Sequence, residues 1–385
     1  MGTIGITVNL TKSIWSNGIN QNGIYLANVL AKIGYDVYII SPTDKNIELT
    51  EEVNGIKVIT FKEAFKINFL ILIQLGVTIS QANFNKFKEI NHNVKLVSYK
   101  CGNDFVIDME SIFFDAHAER TESLKNSIKD PAAKPDQIWS IPQNANANLQ
   151  YFSFISRQDN ATPIPFIWDP MAIDSECEDH GYSTYTERSL TRIAVMEPNL
   201  GVTKNILLPL AILEKQYKLH NNFNKAYLIG AEKLKSNKRL LQILRSTDIH
   251  TNKLVTAEPR LPTLDVINKH ADAVLSWQWE NNLNYLWLDV AWMGWPLIHN
   301  GSMCQDIGYY YPGFDISKGQ ESLQKVLTSH NSDVDYLERN RTAIKRYTID
   351  NPQLLKDYEV LINNLLNNTF KKYNYNWQTN SIYID

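Results

Sequence analysis

Five consecutive apolar residues, Phe69-Leu70-Ile71-Leu72-Ile73, halted by Gln74, constrain the fold more than any other segment. The run is far too short to cross a bilayer. It lacks the alternation that would leave one face to water, so it suits a strand buried on both faces. Such strands belong to parallel sheets covered by helices, and the flanking sequence supplies the helices. Residues 3–9 read as a first strand. Residues 22–34 have helical apolar spacing at Ile24, Ala27, Val29, Leu30 and Ile33, and end at Gly34. A second strand at 36–41 stops at Pro42. Further strands are expected at 56–61, 69–75 and 95–100, and helices at 80–91, 104–115 and 143–155.

Pro163, Pro165 and Pro170 bracket Phe166-Ile167-Trp168-Asp169, a candidate linker. Residues 175–185 are polar and read as loop. The strand–helix alternation then restarts, with strands at 192–197, 226–230, 253–258, 271–277 and 296–299. Helices fall between them at 205–217, 238–245, 263–270 and 284–293, and a last long helix is expected at 351–368. Two series of similar size imply an α/β protein with two doubly wound, Rossmann-like domains facing a cleft. The expected division is 1–168, 169–350, and a C-terminal helix and tail at 351–385 crossing back toward the first domain.

The length of 385 residues agrees, at roughly 150 residues per domain. With 44% hydrophobic and 21% charged residues, the chain is neither disordered nor fibrous. A net charge of −3 excludes non-specific coating of nucleic acid, so any such contact needs a local basic patch. Cys101, Cys177 and Cys304 are odd in number and far apart, which fits reduced thiols rather than a disulfide or zinc framework. The N-terminus has no basic region and reads directly as a strand, so a soluble cytoplasmic chain is expected.

Ligands of open α/β sheets bind beyond the carboxyl ends of the strands. Three loops occupy such positions. The first follows strand one and contains Asn17, Gly18 and Asn20; it is not GxGxxG, and its bland reading is a turn with Asn20 or Asn22 capping the next helix. The second, Glu197-Pro198-Asn199-Leu200-Gly201-Val202-Thr203-Lys204-Asn205, would set Lys204 near the free N–H groups of a helix start, a reasonable diphosphate site. The third, Asn300-Gly301-Ser302, runs on to Tyr309; Asn300 and Ser302 can bond sugar or phosphate and Tyr309 can stack. A fourth stretch from Ser276 to Pro296 places Glu280 in a polar loop and Asp289 on a helix that is apolar nearly all round. Asp289 is therefore expected to be buried, and a buried carboxylate needs partners. Ribose hydroxyls would serve, as would an arginine. Asn281, Asn284 and Tyr285, in the same loop and helix start, join the donor-binding candidates.

Leu288-Asp289-Val290-Ala291-Trp292-Met293-Gly294-Trp295-Pro296 resembles the GT-B glycosyltransferases, especially the retaining group of sucrose and glycogen synthases. There an acid in a loop is followed by a second acid leading into Ala-Met-Ala-x-Gly-x-Pro. The resemblance implies that Asp289 holds the ribose of a nucleotide and that Lys204 meets the donor diphosphate. Asn281 stands at the family's first acid; here the acid is Glu280, read as touching the sugar or its departing oxygen. The usual arginine partner is replaced by Glu197-Pro198-Asn199. A second likeness, over Asn22-Gly23-Ile24-Tyr25-Leu26-Ala27-Asn28-Val29-Leu30 and Gly34-Tyr35-Asp36-Val37-Tyr38-Ile39-Ile40-Ser41, is to the T-even phage DNA glucosyltransferases, which modify hydroxymethylcytosine.

The implied function is transfer of a sugar from a nucleotide sugar, a UDP-sugar by preference, to an acceptor hydroxyl. The nucleotide sugar is a co-substrate, and no other cofactor or metal is expected. Asp115 or His117 would take the acceptor proton, with Asp169 as rival. Asp333-Val334-Asp335 imitates a metal motif but precedes a helical stretch, where capping explains it. Two basic clusters, Lys233/Lys235/Lys238/Arg239 and Arg339/Arg341/Lys345/Arg346, would suit phosphate backbone or simply solvated helix faces. The acceptor favoured on these grounds is hydroxymethylcytosine in phage double-stranded DNA; a bacterial surface glycan is the alternative. A non-catalytic nucleotide- or sugar-binding protein is a further one.

Overall fold

The computed structural model describes residues 2–10, 18–42, 52–114, 116 and 130–384. Contacts divide the chain into two compact units, Met1–Asp169 with Arg346–Asp385, and Pro170–Lys345.

The first unit is built on β1 (Thr3–Thr7), β2 (Asp36–Ser41), β3 (Glu52–Val53), β4 (Ile56–Thr60), β5 (Phe69–Gln74), β6 (Lys95–Lys100), β7 (Gln137–Ser140) and β8 (Ala161–Pro163). Their order across the sheet is β3-β4-β2-β1-β5-β6-β7-β8. Every pairing is parallel except β3 with β4. The apolar run expected to be covered on both faces is β5, beside β1 at the centre, with Phe69, Ile71, Leu72 and Ile73 fully buried. The helix Gly18–Ile33 lies close on the sheet because Gly23 has no side chain: a Cβ there would come within 2.5 Å of Val8 Cγ2. This helix begins earlier than its apolar spacing suggests, so Asn20 and Asn22 lie inside its first turns rather than capping it.

The proline-bracketed stretch runs to the division between the units at Asp169 and Pro170 and is packed: Phe166, Ile167 and Trp168 are buried, and Asn380 clamps the Phe166 backbone by accepting from its N–H and donating to its carbonyl. One expectation nearby is corrected. The polar segment after it is mostly helical, Met171–His180, ended by Gly181 in the left-handed region. The helix Pro352–Leu366, capped by Asn351, packs on Gly18–Ile33, and its Tyr358 hydroxyl donates to the Pro165 carbonyl at 2.9 Å. A hairpin of β15 (Asn374–Asn376) and β16 (Ser381–Tyr383) completes the first unit.

The second unit repeats the plan with an all-parallel sheet of β9 (Arg192–Val195), β10 (Lys225–Ile229), β11 (Val255–Glu258), β12 (Ala273–Leu275), β13 (Leu297–His299) and β14 (Tyr309–Tyr310). The order is β11-β10-β9-β12-β13-β14. Strand order reverses at β9, which sits between β10 and β12, just as it reverses at β1 in the first sheet. Chains leaving two neighbouring strands in opposite directions open a crevice at their carboxyl ends, and α/β proteins bind ligands there. No helix among the described residues is long and apolar enough to cross a membrane.

Candidate functional site

At the reversal point of the second sheet, the chain leaving β9 carries Glu197, which is fully buried. Its carboxylate accepts from the Ser276 hydroxyl, from the Trp277 N–H at 3.2 Å and from the Gln278 amide at 3.1 Å. Those three residues follow β12, so the site is a direct product of the strand order. Burial pushes the Glu197 carboxyl up to about 7; the hydrogen bonds and the positive charge of Lys204 pull the other way and lose.

Gln278 joins this carboxylate to the loop beyond. Its side-chain oxygen accepts from Asn281 and, at 2.9 Å, from Asn284. Its backbone is latched by Asn300, which accepts from the Gln278 N–H at 2.8 Å and donates to the Gln278 carbonyl at 2.7 Å. Ser276 is held from two further sides: the Trp287 indole donates to its hydroxyl at 2.8 Å, and the Tyr311 hydroxyl to its carbonyl at 2.8 Å. A buried polar network persists only when its members are satisfied, and this one is.

Lys204 reaches the same end of the sheet from the loop after Glu197. Asn199, in the left-handed region at φ 55, folds that loop: its amide donates to the Glu197 carbonyl and accepts from the Ile206 N–H. Lys204 also forms a backbone bridge with Gln278, and the Trp279 N–H donates to the Thr203 carbonyl at 2.8 Å. The half-buried lysine has its pKa lowered by burial and by the positive charge of Arg260, with Glu197 opposing. Arg260 comes from the turn after β11, where Gly230 donates to the Pro259 carbonyl at 3.2 Å. Gly230 must be glycine: it has φ +79, and a Cβ would meet the Glu197 carbonyl oxygen at 2.9 Å. Lys204 thus stands beside the start of the helix Leu207–His220, where the Ile206 and Leu207 N–H groups donate to the side-chain oxygens of Asn199 and Asn205 at 3.0 and 3.1 Å.

The residues singled out in the sequence are distributed unevenly around this centre. Lys204, Glu280, Asn281, Asn284 and Asn300 belong to it. Asn281 and Asn300 are buried with their amides bonded inside the protein, and Asn284 caps the helix Tyr285–Trp292 by accepting from the Leu286 N–H at 3.0 Å. Glu280 is half-buried with φ 49. Asp289 is not the buried acid its helix suggests. That helix turns Trp287, Leu288, Val290 and Ala291 inward and leaves Asp289 and Tyr285 half-buried; the buried acid is Glu197. Ser302 is half-buried, its carbonyl accepting from Gln305. Tyr309 is a core residue of the edge strand β14, its ring stacked on Tyr336 and its hydroxyl bonded to His330 and Asp333.

Tyr309 also lines a cavity of about 970 Å³ with Lys325, Asp333 and Arg339, away from the reversal point, where Asp333 and Arg339 neutralise each other at 2.8 Å. Gly18 and Asn20 lie in the first unit; Asn17, Asp115 and His117 lie outside the described residues. Asp169 is engaged in the first unit, its carboxylate accepting from the Ile349 N–H. Of the basic residues, Arg341 lies over Trp292 and donates to its carbonyl, while Arg346 lies over Tyr347. Lys233, Lys235, Lys238 and Arg239 are exposed. Among the described residues no three His, Cys, Asp or Glu side chains group to hold a metal.

Sequence reasoning missed Glu197 and Gln278 as partners. The available signal was position alone: each stands just past the end of a strand.

The architecture is that of the GT-B glycosyltransferases. Sucrose-phosphate synthase from Thermosynechococcus elongatus aligns over 95% of this chain and 100% of its own at 12% identity, with a TM-score of 0.58. A TarM variant from S. aureus, solved with fondaparinux, alpha-GlcNAc-glycerol and UDP, aligns over 95% and 100% at 10% identity and 0.59. HepE from Anabaena, solved with UDP-glucose, aligns over 93% and 99% at 11% identity and 0.52. A family model described as "Protein of unknown function (DUF2827)" matches residues 4–362, and the chain belongs to that family. No curated protein matches it.

Proposed function

We propose that the protein is a glycosyltransferase that takes a sugar from a uridine diphosphate sugar and places it on an acceptor hydroxyl. The observation that carries the reading is Lys204, held at the reversal point of the second sheet by its backbone bridge to Gln278. A leaving nucleoside diphosphate needs positive potential where its charge develops, and Lys204 beside the start of the helix Leu207–His220 supplies it. UDP and UDP-glucose in the HepE and TarM structures support the choice of nucleotide.

In this reading Asp289 holds the ribose, which agrees with its half-exposed position, and Glu280 meets the donor sugar. Asn281, Asn284 and Asn300 shape the pocket wall rather than grip the donor with their amides, since Gln278 and Gly313 engage them. The bond from the anomeric carbon to the diphosphate oxygen breaks and a bond to the acceptor oxygen forms. The acceptor proton passes to a base, a role kept for Asp115 or His117. The first unit would take the acceptor. A DNA acceptor draws support only from the exposed cluster of Lys233, Lys235, Lys238 and Arg239, and its binding should weaken steeply with salt.

Thermal shift with UDP-sugars, GDP-sugars and NAD tests the reading on the wild type, Lys204→Ala and Asp289→Ala. UDP-sugars should raise the melting temperature of the wild type, and each substitution should diminish the rise. A response to NAD alone, or one indifferent to Lys204, would overturn it.

A further inference from the structure

Two apolar surfaces lie outside the site described above, one on each unit. On the first unit the helix Asp104–Phe114 ends in Ile112, Phe113 and Phe114, and the helix Ala145–Ser156 carries Phe154 near its end; all four side chains are 72–76% exposed. Ring contacts join the two helices into one patch: Phe105 meets Tyr151 at 5.4 Å and Tyr151 meets Phe154 at 6.4 Å. A large aromatic side chain carries about 150–250 Å², so the patch presents roughly 500 Å² of apolar surface. On a folded chain a contiguous patch of that size marks an interaction site.

On the second unit a groove of about 500 Å³ runs between the helices Leu207–His220 and Lys238–Arg245. Leu207, Leu210, Ala211, Leu219, Ile243 and Leu244 line it. Leu207 and Leu219 are 52% and 57% exposed, and their separation along the helix makes the groove about 18 Å long.

The two surfaces match in shape and in charge. Phe105, Met109, Ile112 and Phe113 recur at i, i+4, i+7 and i+8, so they share one helix face about 12 Å long. This is the anchor spacing of a helix laid in a groove, and it fits the length available. The helix Asp104–Phe114 contains three acids and no cation. Asp104 and Asp108 border its apolar face, the first paired with Lys100 at 3.0 Å and the second accepting from the Tyr151 hydroxyl, while Glu110 is buried. The groove wall Lys238–Arg245 contains three cations and no acid. Glu214 and Asp248, the acids beside the groove, both lie against Lys218, at 2.9 and 3.8 Å. Lys215 donates to the Ser317 hydroxyl and Arg239 to the Gln242 amide oxygen, so among the described residues neither they nor Lys238 and Arg245 meet a carboxylate. An acidic apolar helix face and a basic apolar groove therefore stand on the same chain, and each copy offers what another can fill.

We propose that the protein self-associates, with the Asp104–Phe114 face of one copy seated in the groove of a second. Two copies seated reciprocally would bury roughly 1,000 Å² each, past the ~800 Å² per partner of a standard interface. Neither surface contains Glu197, Lys204 or Asp289, so self-association stands whether or not the protein transfers sugar.

Sedimentation equilibrium of the full chain, from micromolar to submillimolar concentration, tests this. The patch variant is Ile112→Ser with Phe113→Ser, and the groove variant is Lys215→Glu with Leu219→Glu. The wild-type mass should rise with concentration above that of one chain. Each variant alone should associate at least tenfold more weakly. An equimolar mixture of the two holds one intact face and one intact groove, and should regain association to a level below the wild type. Melting temperatures check that both variants fold; should the groove variant fail, Arg245→Glu on the exposed helix end replaces it. A wild type that stays monomeric overturns the proposal, and flotation with phosphatidylglycerol vesicles that the patch variant loses would then assign the patch to a membrane. A groove variant that associates as the wild type does, or a mixture no better than either variant alone, also overturns it, because the patch would then meet a patch.

Discussion

The two sheets reverse strand order in the same way, yet their carboxyl ends carry different chemistry. In the second unit that end holds a buried carboxylate, Glu197, and a cation, Lys204. In the first unit it holds amides and hydroxyls: Asn22 accepting from Tyr99 at 3.3 Å, Asn148, and the unmet Gln143 and Asn144. Topology fixes where a ligand can sit, and a few side chains past the strand ends fix which one. On the proposed reading, the charged end is where the nucleoside diphosphate would sit.

Several substitutions would break or sharpen this contrast. The largest effect is expected from Lys204→Ala, with a fall of about 100-fold or more in donor turnover, measured as kcat/KM, since an electrostatic contact to a leaving group commonly counts for that much. Turnover unchanged by Lys204→Ala would remove the charged end from the reaction.

Glu197 comes next. Its folded pKa of about 7 lies above its ordinary 4.5, so the folded state holds this proton more tightly than the unfolded chain. Its contribution to stability is therefore complete below about pH 4.5, declines as pH rises toward 7 and levels off above. The loss amounts to about 3 kcal/mol. Urea unfolding from pH 5 to 8 should show this decline in the wild type and a flatter profile in Glu197→Gln. Identical slopes would mean that the carboxylate is ionised throughout.

Gly301→Ala probes the packing that holds Ser276 to Glu197. A Cβ there would lie 2.8 Å from Trp287 Cε3 and 2.9 Å from Cys304 Sγ, so a loss of about 1–3 kcal/mol is expected by denaturant unfolding. Asn284→Ala should cost about 1 kcal/mol through the lost cap. The smallest effect belongs to Lys238→Ala with Arg239→Ala on an exposed helix start, where stability should change by about 0.5 kcal/mol or less. If that pair nevertheless flattens the salt dependence of binding to modified DNA, the basic cluster is an acceptor surface and the contrast between the units needs redrawing.

Much of the fold is legible in the residues. β2 and β6 have the expected limits, and β5 differs by one residue, because continuous apolar strands between polar turns leave little freedom. β7, β8 and β14 escape notice: Gln137-Ile138-Trp139-Ser140, Ala161-Thr162-Pro163 and Tyr309-Tyr310 are too short to carry a pattern, and only neighbouring strands give them an identity. In the site, Lys204 is legible from its place after a strand and before a helix. Asp289 misleads because an acid on an apolar helix of eight residues reads as buried when it lies on the less covered side.

Local sequence determined the alternation of strands and helices, the two series and the loops able to bear ligands, since hydrophobic period and turn chemistry act over a few residues. Tertiary structure alone decided that Glu197, Ser276 and Gln278 share one buried network, and that Lys204 bridges to Gln278. Those residues are brought together by strand order across a sheet, and the energy of burying a charge depends on neighbours that lie many tens of residues away along the chain.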